Sequence, residues 1–237
     1  MRLDKFLAAS GVGSRSEVKQ LLKQKRITVA GKVVTSPKIQ VEADSQVELD
    51  HQPVNYQTNY YLLMNKPKGV ITATTDKSQR TVIDLLGAGE QKLGLFPVGR
   101  LDKDTTGLLL LTTDGELAHR LLAPKKHVSK VYQAKIEGIV TDQTVARFAK
   151  PLTLKNGEVT KPAKLEVISS QKDANISRVI IEITEGKYHQ VKRMFAAVGM
   201  HVLELHRLKM GQLELPADLK PGQYRPLTKE ELASLTK

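Results

Sequence analysis

The chain has no cysteine and no tryptophan among its 237 residues. Without thiols, disulfides, thiolate zinc sites and cysteine nucleophiles are excluded. Aromatic residues are scarce, with four Phe and six Tyr. A broad base-stacking surface is therefore excluded, and any stacking must rest on one or two chosen rings. No apolar run approaches the roughly 18 residues that a membrane span needs. The opening stretch MRLDKFLAASGVGSRSE lacks the apolar core of a signal peptide. The expectation is a cytoplasmic protein with no membrane partner. Neither an internal repeat nor a low-complexity segment is present.

What the chain does have is positive charge. Lys and Arg number 37 against 25 acids, a net charge of +12. Such an excess attracts polyanions, above all nucleic acid. The first 38 residues concentrate it, with nine Lys or Arg against Asp4 and Glu17.

That basic segment reads as a small module. RLDKFLAASG predicts a short helix with Leu3, Phe6 and Leu7 on one face and Gly11 ending it. Ser14 is placed to cap a second helix, and Glu17 completes a capping box. Val18, Leu21 and Leu22 form its apolar stripe, leaving Lys19, Lys23 and Arg26 for solvent or phosphate. RITVAGKVV alternates around Ala30-Gly31 as a hairpin, and SQVELD is a further strand. This order resembles the RNA-binding domain named after ribosomal protein S-four. The resemblance implies RNA contact through Arg15, Lys19 and Arg26.

The polar stretch DHQPVNYQTN, residues 50–59, reads as a linker between a domain at 1–52 and a second at 58–237. Strands are expected at YYLLMNK, LGLFPVGRL, GLLLLTTD, SKVYQAKIEG, AKLEVIS, SRVIIEITEG and MHVLELHRLKMG. Helices are expected at TVIDLL, GELAHRLLA, TDQTVARFAK, YHQVKRMFAAVG and TKEELASL. Adjacent strands and interspersed helices predict an α+β fold with a mostly antiparallel sheet flanked by helices.

GRLDKDTTGLLLLTTDG, residues 99–115, places Asp102 and Asp104 in a polar turn directly before four leucines. A calcium loop fails, because its twelfth position would be Thr113 and its interior would be leucine. The Asp-x-Asp-x-Thr of haloacid-dehalogenase phosphatases fits poorly, since there the apolar strand precedes the aspartate. A turn making only local hydrogen bonds is the bland alternative.

The longer pattern decides between them. GRLDKDTTGLLLLT resembles the signature of pseudouridine synthases. LMNKPKG at 63–69, KVY at 130–132 and EGKYHQVKRM at 185–194 match the same family. Together with the N-terminal module, the matches cover nearly the whole chain. The arrangement is similar to synthases acting on 16S ribosomal RNA of the small subunit.

The resemblance implies Asp102 as nucleophile, attacking either the ribose or the base. It implies Arg100 near the flipped base and Tyr132 stacked on uracil. Lys192 is implied as the basic partner of Asp102, an arrangement that keeps a buried aspartate ionised. Arg193 is the neighbouring alternative. Lys66, His189 and Arg193 are expected to contact RNA. Neither cofactor nor metal is expected, because the isomerisation involves no redox step and no phosphate cleavage. The expected partner is 16S ribosomal RNA or the assembling small subunit, met by a monomer. Two alternatives stay open: a synthase of large-subunit RNA, and a non-catalytic RNA-binding assembly protein. The Lys-Tyr-His-Gln form at 187–190 favours the small-subunit enzyme.

Overall fold

The computed structural model describes residues 1–42, 44–54, 59–123 and 126–236. The chain forms two compact units, Met1–Asn59 and Tyr60–Lys237.

In the first unit, α1 (Leu3–Ala9) and α2 (Arg15–Lys23) bury Leu3, Phe6, Leu7, Val18 and Leu22 against a small sheet. Ser14 caps α2: its hydroxyl accepts from the Glu17 amide, while the Ser14 amide donates to the Glu17 carboxylate at 2.6 Å. Such a cap contributes about 1 kcal/mol. The sheet runs β2 (Lys32–Val33), β1 (Ile27–Val29), β3 (Val47–Leu49), β4 (Gln52–Pro53). Ala30 and Gly31, at φ 50° and 74°, make the tight turn between β1 and β2.

The start of the expected linker is instead a hairpin. Asp50 and His51 both take positive φ and turn the chain back, so that β4 pairs with β3. A polar composition concealed a two-residue turn. The remainder of that stretch includes residues 55–58, which lie outside the described residues.

The second unit is built on β5 (Tyr61–Lys66), β6 (Phe96–Pro97), β7 (Thr106–Thr112), β8 (Lys130–Glu137), β9 (Lys164–Gln171), β10 (Ile176–Ile183), β11 (His201–Met210), β12 (Leu213–Glu214) and β13 (Tyr224–Pro226). Its main path is β13-β5-β7-β11-β8-β10-β9, with β6 on β7 and β12 on β11. Every pairing between these strands is antiparallel except β7 with β11. The fold is α+β.

The four leucines explain themselves here. Leu109 and Leu111 enter one core, Leu108 and Leu110 the other. A central strand covered on both faces needs apolar residues at every position, so the alternating pattern disappears. On the first face pack α4 (Asp142–Phe148) and α5 (Gln190–Ala197), whose Phe148 and Phe195 rings lie 4.8 Å apart. On the other, α3 (Gly115–Leu122) and α6 (Lys229–Thr236) bury Leu117, Leu121 and Leu235. The helix expected at TVIDLL is a single 3-10 turn, Ile83–Leu85. Thr81 and Asp84 bond each other reciprocally at its start, in the manner of a capping box, and the chain leaves the helix at Leu86, which is extended at φ -81° and ψ 158°.

Gly107 is where β11 comes closest to β7. It sits at φ 102°, and a Cβ there would lie 2.6 Å from the Arg207 nitrogen and closer still to its carbonyl oxygen. Both strands are central, so neither can move aside cheaply. Gly107→Ala is expected to lose roughly 3 kcal/mol of stability or fail to fold; denaturant melts compared with unaltered protein check this.

Candidate active site

Asp102 stands on the loop between β6 and β7, and that loop is tied down from several sides. Leu101 is buried, and its amide and carbonyl both bond the Thr72 hydroxyl, at 3.1 and 2.7 Å. The Gly69 amide donates to the Lys103 carbonyl at 2.8 Å. The Thr105 amide closes a turn on the Asp102 carbonyl at 3.1 Å. Beneath the loop lies Lys66, whose Nζ donates to the carbonyls of Pro67, Asp102, Lys103 and Thr105 at 2.9–3.4 Å.

Lys66 therefore does not reach RNA. Its residue surface is 0% exposed and its ammonium is spent on carbonyls. Its expected role as an RNA contact is corrected: a Lys at the end of a buried strand, followed by a Pro-Lys-Gly turn, holds backbone. Burial pushes its pKa down to about 8, against the opposing pull of Asp104 and Asp102.

Across from the loop stands the N-terminus of α5. Lys192 Nζ lies 3.3 Å from Asp102 Oδ2 and 2.6 Å from Asp104 Oδ1, bridging both carboxylates. Burial alone would lower the Lys192 pKa, but the hydrogen bond to Asp104 and the charges of both aspartates raise it. Asp104 is likewise pushed up by burial, yet ends below the usual carboxylate range because Lys192 bonds and attracts it. His189, the residue before α5, takes a left-handed conformation at φ 47° and ψ 36° and sets Nε2 3.4 Å from Asp102 Oδ1. The Asp102 side chain is 25% exposed and that of Asp104 55%. Asp102, the more enclosed carboxylate, has ion-pair contacts to both Lys192 and His189.

Of the residues singled out in the sequence, the fold gathers Asp102, Lys192 and His189. Of the two candidate basic partners, Lys192 is the one that contacts Asp102. Arg193 turns away to Glu158 and Asn156 and donates to the Tyr188 carbonyl at 3.1 Å. Arg100 is exposed, two residues before Asp102. Tyr132 stands on β8, two strands from β7, and is 7% exposed. In the first unit, Arg15 and Lys19 are exposed on α2, whereas Arg26 forks onto Asp50 and its charge is locally balanced.

Asp104, read from the sequence as a turn or support residue, bonds Lys192. Arg207 lies opposite Tyr132 on β11, 2% exposed, with Nε donating to the Leu108 carbonyl at 2.8 Å and Nη2 buried without a described partner. With Glu204, His206 and Lys209 on the same strand, nothing in its sequence marks Arg207 as the buried one. Among the described residues, no group of three or more His, Asp or Glu is placed to hold a metal ion, and no helix is long and apolar enough to cross a membrane.

Residues 60–197 match the family described as RNA pseudouridylate synthase, and residues 1–47 match the S4 domain. The chain belongs to the RNA pseudouridylate synthase family. It is 48% identical to an uncharacterized RNA pseudouridine synthase, YtzG, of Bacillus subtilis (strain 168), over 98% of this chain and 97% of that one. It is 44% identical to ribosomal small subunit pseudouridine synthase A of Escherichia coli (strain K12), over 99% of this chain and all of that one. A crystal structure of a pseudouridylate synthase superposes with a TM-score of 0.69 at 36% identity, covering 99% of both chains.

The clamp gives a test independent of activity. Lys66→Met keeps the stem but withdraws the donor from buried carbonyls, and a loss of about 2–3 kcal/mol is expected. The folded pKa near 8 lies below the ordinary 10.5, so between these values the unfolded chain binds more protons. Stability of the unaltered protein relative to Lys66→Met therefore rises with pH across that window. Denaturation at pH 7.5, 9 and 10.5 (chosen as assay conditions, about one and a half units apart) reads both effects.

Proposed function

We propose that this enzyme converts a uridine of 16S small-subunit ribosomal RNA to pseudouridine, with Asp102 as its nucleophile. The observation that carries the assignment is the setting of the Asp102 carboxylate. It is partly enclosed, held on a clamped loop, and faced by Lys192 at 3.3 Å and His189 at 3.4 Å. The small-subunit target is supported by near full-length similarity to proteins named as ribosomal small subunit pseudouridine synthases.

In the reaction the C1′–N1 bond breaks with its electron pair passing to the uracil ring. The ring turns and C5 bonds to C1′, the bond to Asp102 breaks to return the free carboxylate, the C5 proton departs, and N1 gains a proton. Attack by Asp102 on either ribose C1′ or uracil C6 needs a free carboxylate oxygen on a fixed backbone, since misplacement by an ångström is costly. The Lys66 clamp supplies the fixed backbone. Lys192 supplies a positive charge that Asp104 keeps from wandering.

The target uridine leaves its stack to reach Asp102, at a cost of a few kcal/mol. In this reading Arg100 sits beside the vacated place and Tyr132 lies against the uracil face. Residues 1–52 supply RNA affinity through Arg15 and Lys19, and 58–237 supply the chemistry. The protein acts as a monomer on the RNA or the assembling subunit, in the cytoplasm, without cofactor or metal.

Asp102→Asn keeps the shape and removes the nucleophile, so pseudouridine formation is expected to vanish while RNA binding and the melting temperature persist. Asp104→Asn is expected to slow turnover by about 10- to 100-fold, roughly 1.4–2.7 kcal/mol of barrier, through a loosened Lys192. Pseudouridine yield on small-subunit RNA from cells lacking the protein reads both. A folded Asp102→Asn protein that still makes pseudouridine would overturn the assignment.

RNA affinity has its own test. Replacing Arg15 and Lys19 together by Ala is expected to flatten the slope of log affinity against log salt by about 1.4–1.8, the loss of two phosphate contacts. An unchanged slope would move the RNA footprint elsewhere.

A further inference from the structure

One ring of the EGKYHQ segment has no part in the chemistry just described. Tyr188 is 75% exposed, the most exposed of the large apolar side chains described. It lies flat on the His189 imidazole, with centroids 3.8 Å apart and planes 18° from parallel. His189 in turn reaches Asp102. The two rings therefore make a stack that begins at the carboxylate and ends in water.

The segment carrying this stack is braced. The Gln190 side chain is buried, its amide nitrogen donating to Glu185 Oε1 at 2.7 Å and its oxygen accepting from the Lys187 amide at 2.9 Å. Arg193 holds the Tyr188 carbonyl, and Glu185 also accepts from the Lys161 amide at 2.9 Å. An exposed ring on a fixed backbone has little freedom left to lose on binding. Its outer face is a flat π surface of one ring's width, which suits a single nucleobase. In a chain with ten Phe and Tyr and no Trp, leaving one ring bare beside the reactive carboxylate calls for an occupant.

We propose that Tyr188 is a stacking platform for an RNA base adjacent to the target uridine. When the uridine leaves the helix, a neighbouring base loses a stacking partner, and the Tyr188 face replaces it. Because the ring is stacked on His189, the captured base is held in register with Asp102. The inference rests on the assignment of Asp102 as the reactive carboxylate.

The test compares Tyr188→Phe, Tyr188→Leu and Tyr188→Ala in affinity for a small-subunit RNA transcript and in single-turnover pseudouridine formation at saturating RNA. Tyr188 is a surface residue, and melting curves verify that each variant folds. The Phe variant is expected to match unaltered protein, while Leu and Ala bind about tenfold more weakly, the loss of one base–aromatic stack. An Ala variant with unchanged affinity overturns the platform, and so does a Leu variant that equals Phe. Unchanged affinity with a slowed rate and a displaced pH profile would make the ring a support for His189 instead. If the unaltered protein binds the transcript but forms no pseudouridine, the parent assignment fails, while the Phe–Ala contrast in binding still decides the platform.

Discussion

A single buried ammonium organises the site. Lys66 Nζ is the point at which the end of β5, the Pro67 turn and the loop of Asp102 meet, through four carbonyl oxygens. Carbonyls carry only partial charges, so a cation can gather several of them without forming a tight ion pair. A carboxylate partner would have neutralised Lys66 and left the loop carbonyls to find other donors. As arranged, the backbone is fixed from below while the Asp102 and Asp104 side chains stay free to face Lys192. The cost is visible in the depressed Lys66 pKa, and the nearby aspartates partly offset it.

The distribution of positive charge follows from the same economy of partners. A net charge of +12 suggests many cations free for RNA, but several are engaged. Arg26 is forked on Asp50, Arg193 on Glu158, and Arg225 on Glu231 at 2.7 Å. Lys66 and Arg207 are buried. An exposed ion pair contributes little to stability, about 0–1 kcal/mol, yet it does remove a charge from the pool that phosphates would meet. Arg15 and Lys19 are exposed and appear in no ion pair among the described residues.

Much of the architecture was legible because local chemistry and tertiary packing agree. The Ser14–Glu17 box, the Ala30-Gly31 turn and the long alternating strands formed as read. Failures came where backbone conformation overrode a pattern. TVIDLL has helical spacing and a Thr81–Asp84 box at its start, but Leu86 turns extended and ends it after one turn. The polar Asp50-His51 pair looked like linker and is a turn. At the site, the pairing of Lys192 with Asp102 came from resemblance, and the structure adds the nearer contact with Asp104. Lys66 misled because a motif position says that a lysine matters without saying which way it points.

The stretch from Gly99 to Gly107 shows how little of a signature need be reactive. Gly99 takes φ 78°, with Leu122 3.0 Å from where a Cβ would stand. Leu101 is an anchor in the core, bonded front and back by Thr72. Lys103 reaches Gln79 at 2.9 Å, and Asp104 holds Lys192. Thr106 bonds the His206 ring at 2.8 Å, and Gly107 lets Arg207 pass. Asp102 is the residue of the stretch with ion-pair contacts to both Lys192 and His189, at 3.3 and 3.4 Å. Its neighbours are constrained by turn geometry, core volume and the close approach of β11. A substitution in this stretch can therefore silence the site without touching the carboxylate, by releasing the loop rather than the charge.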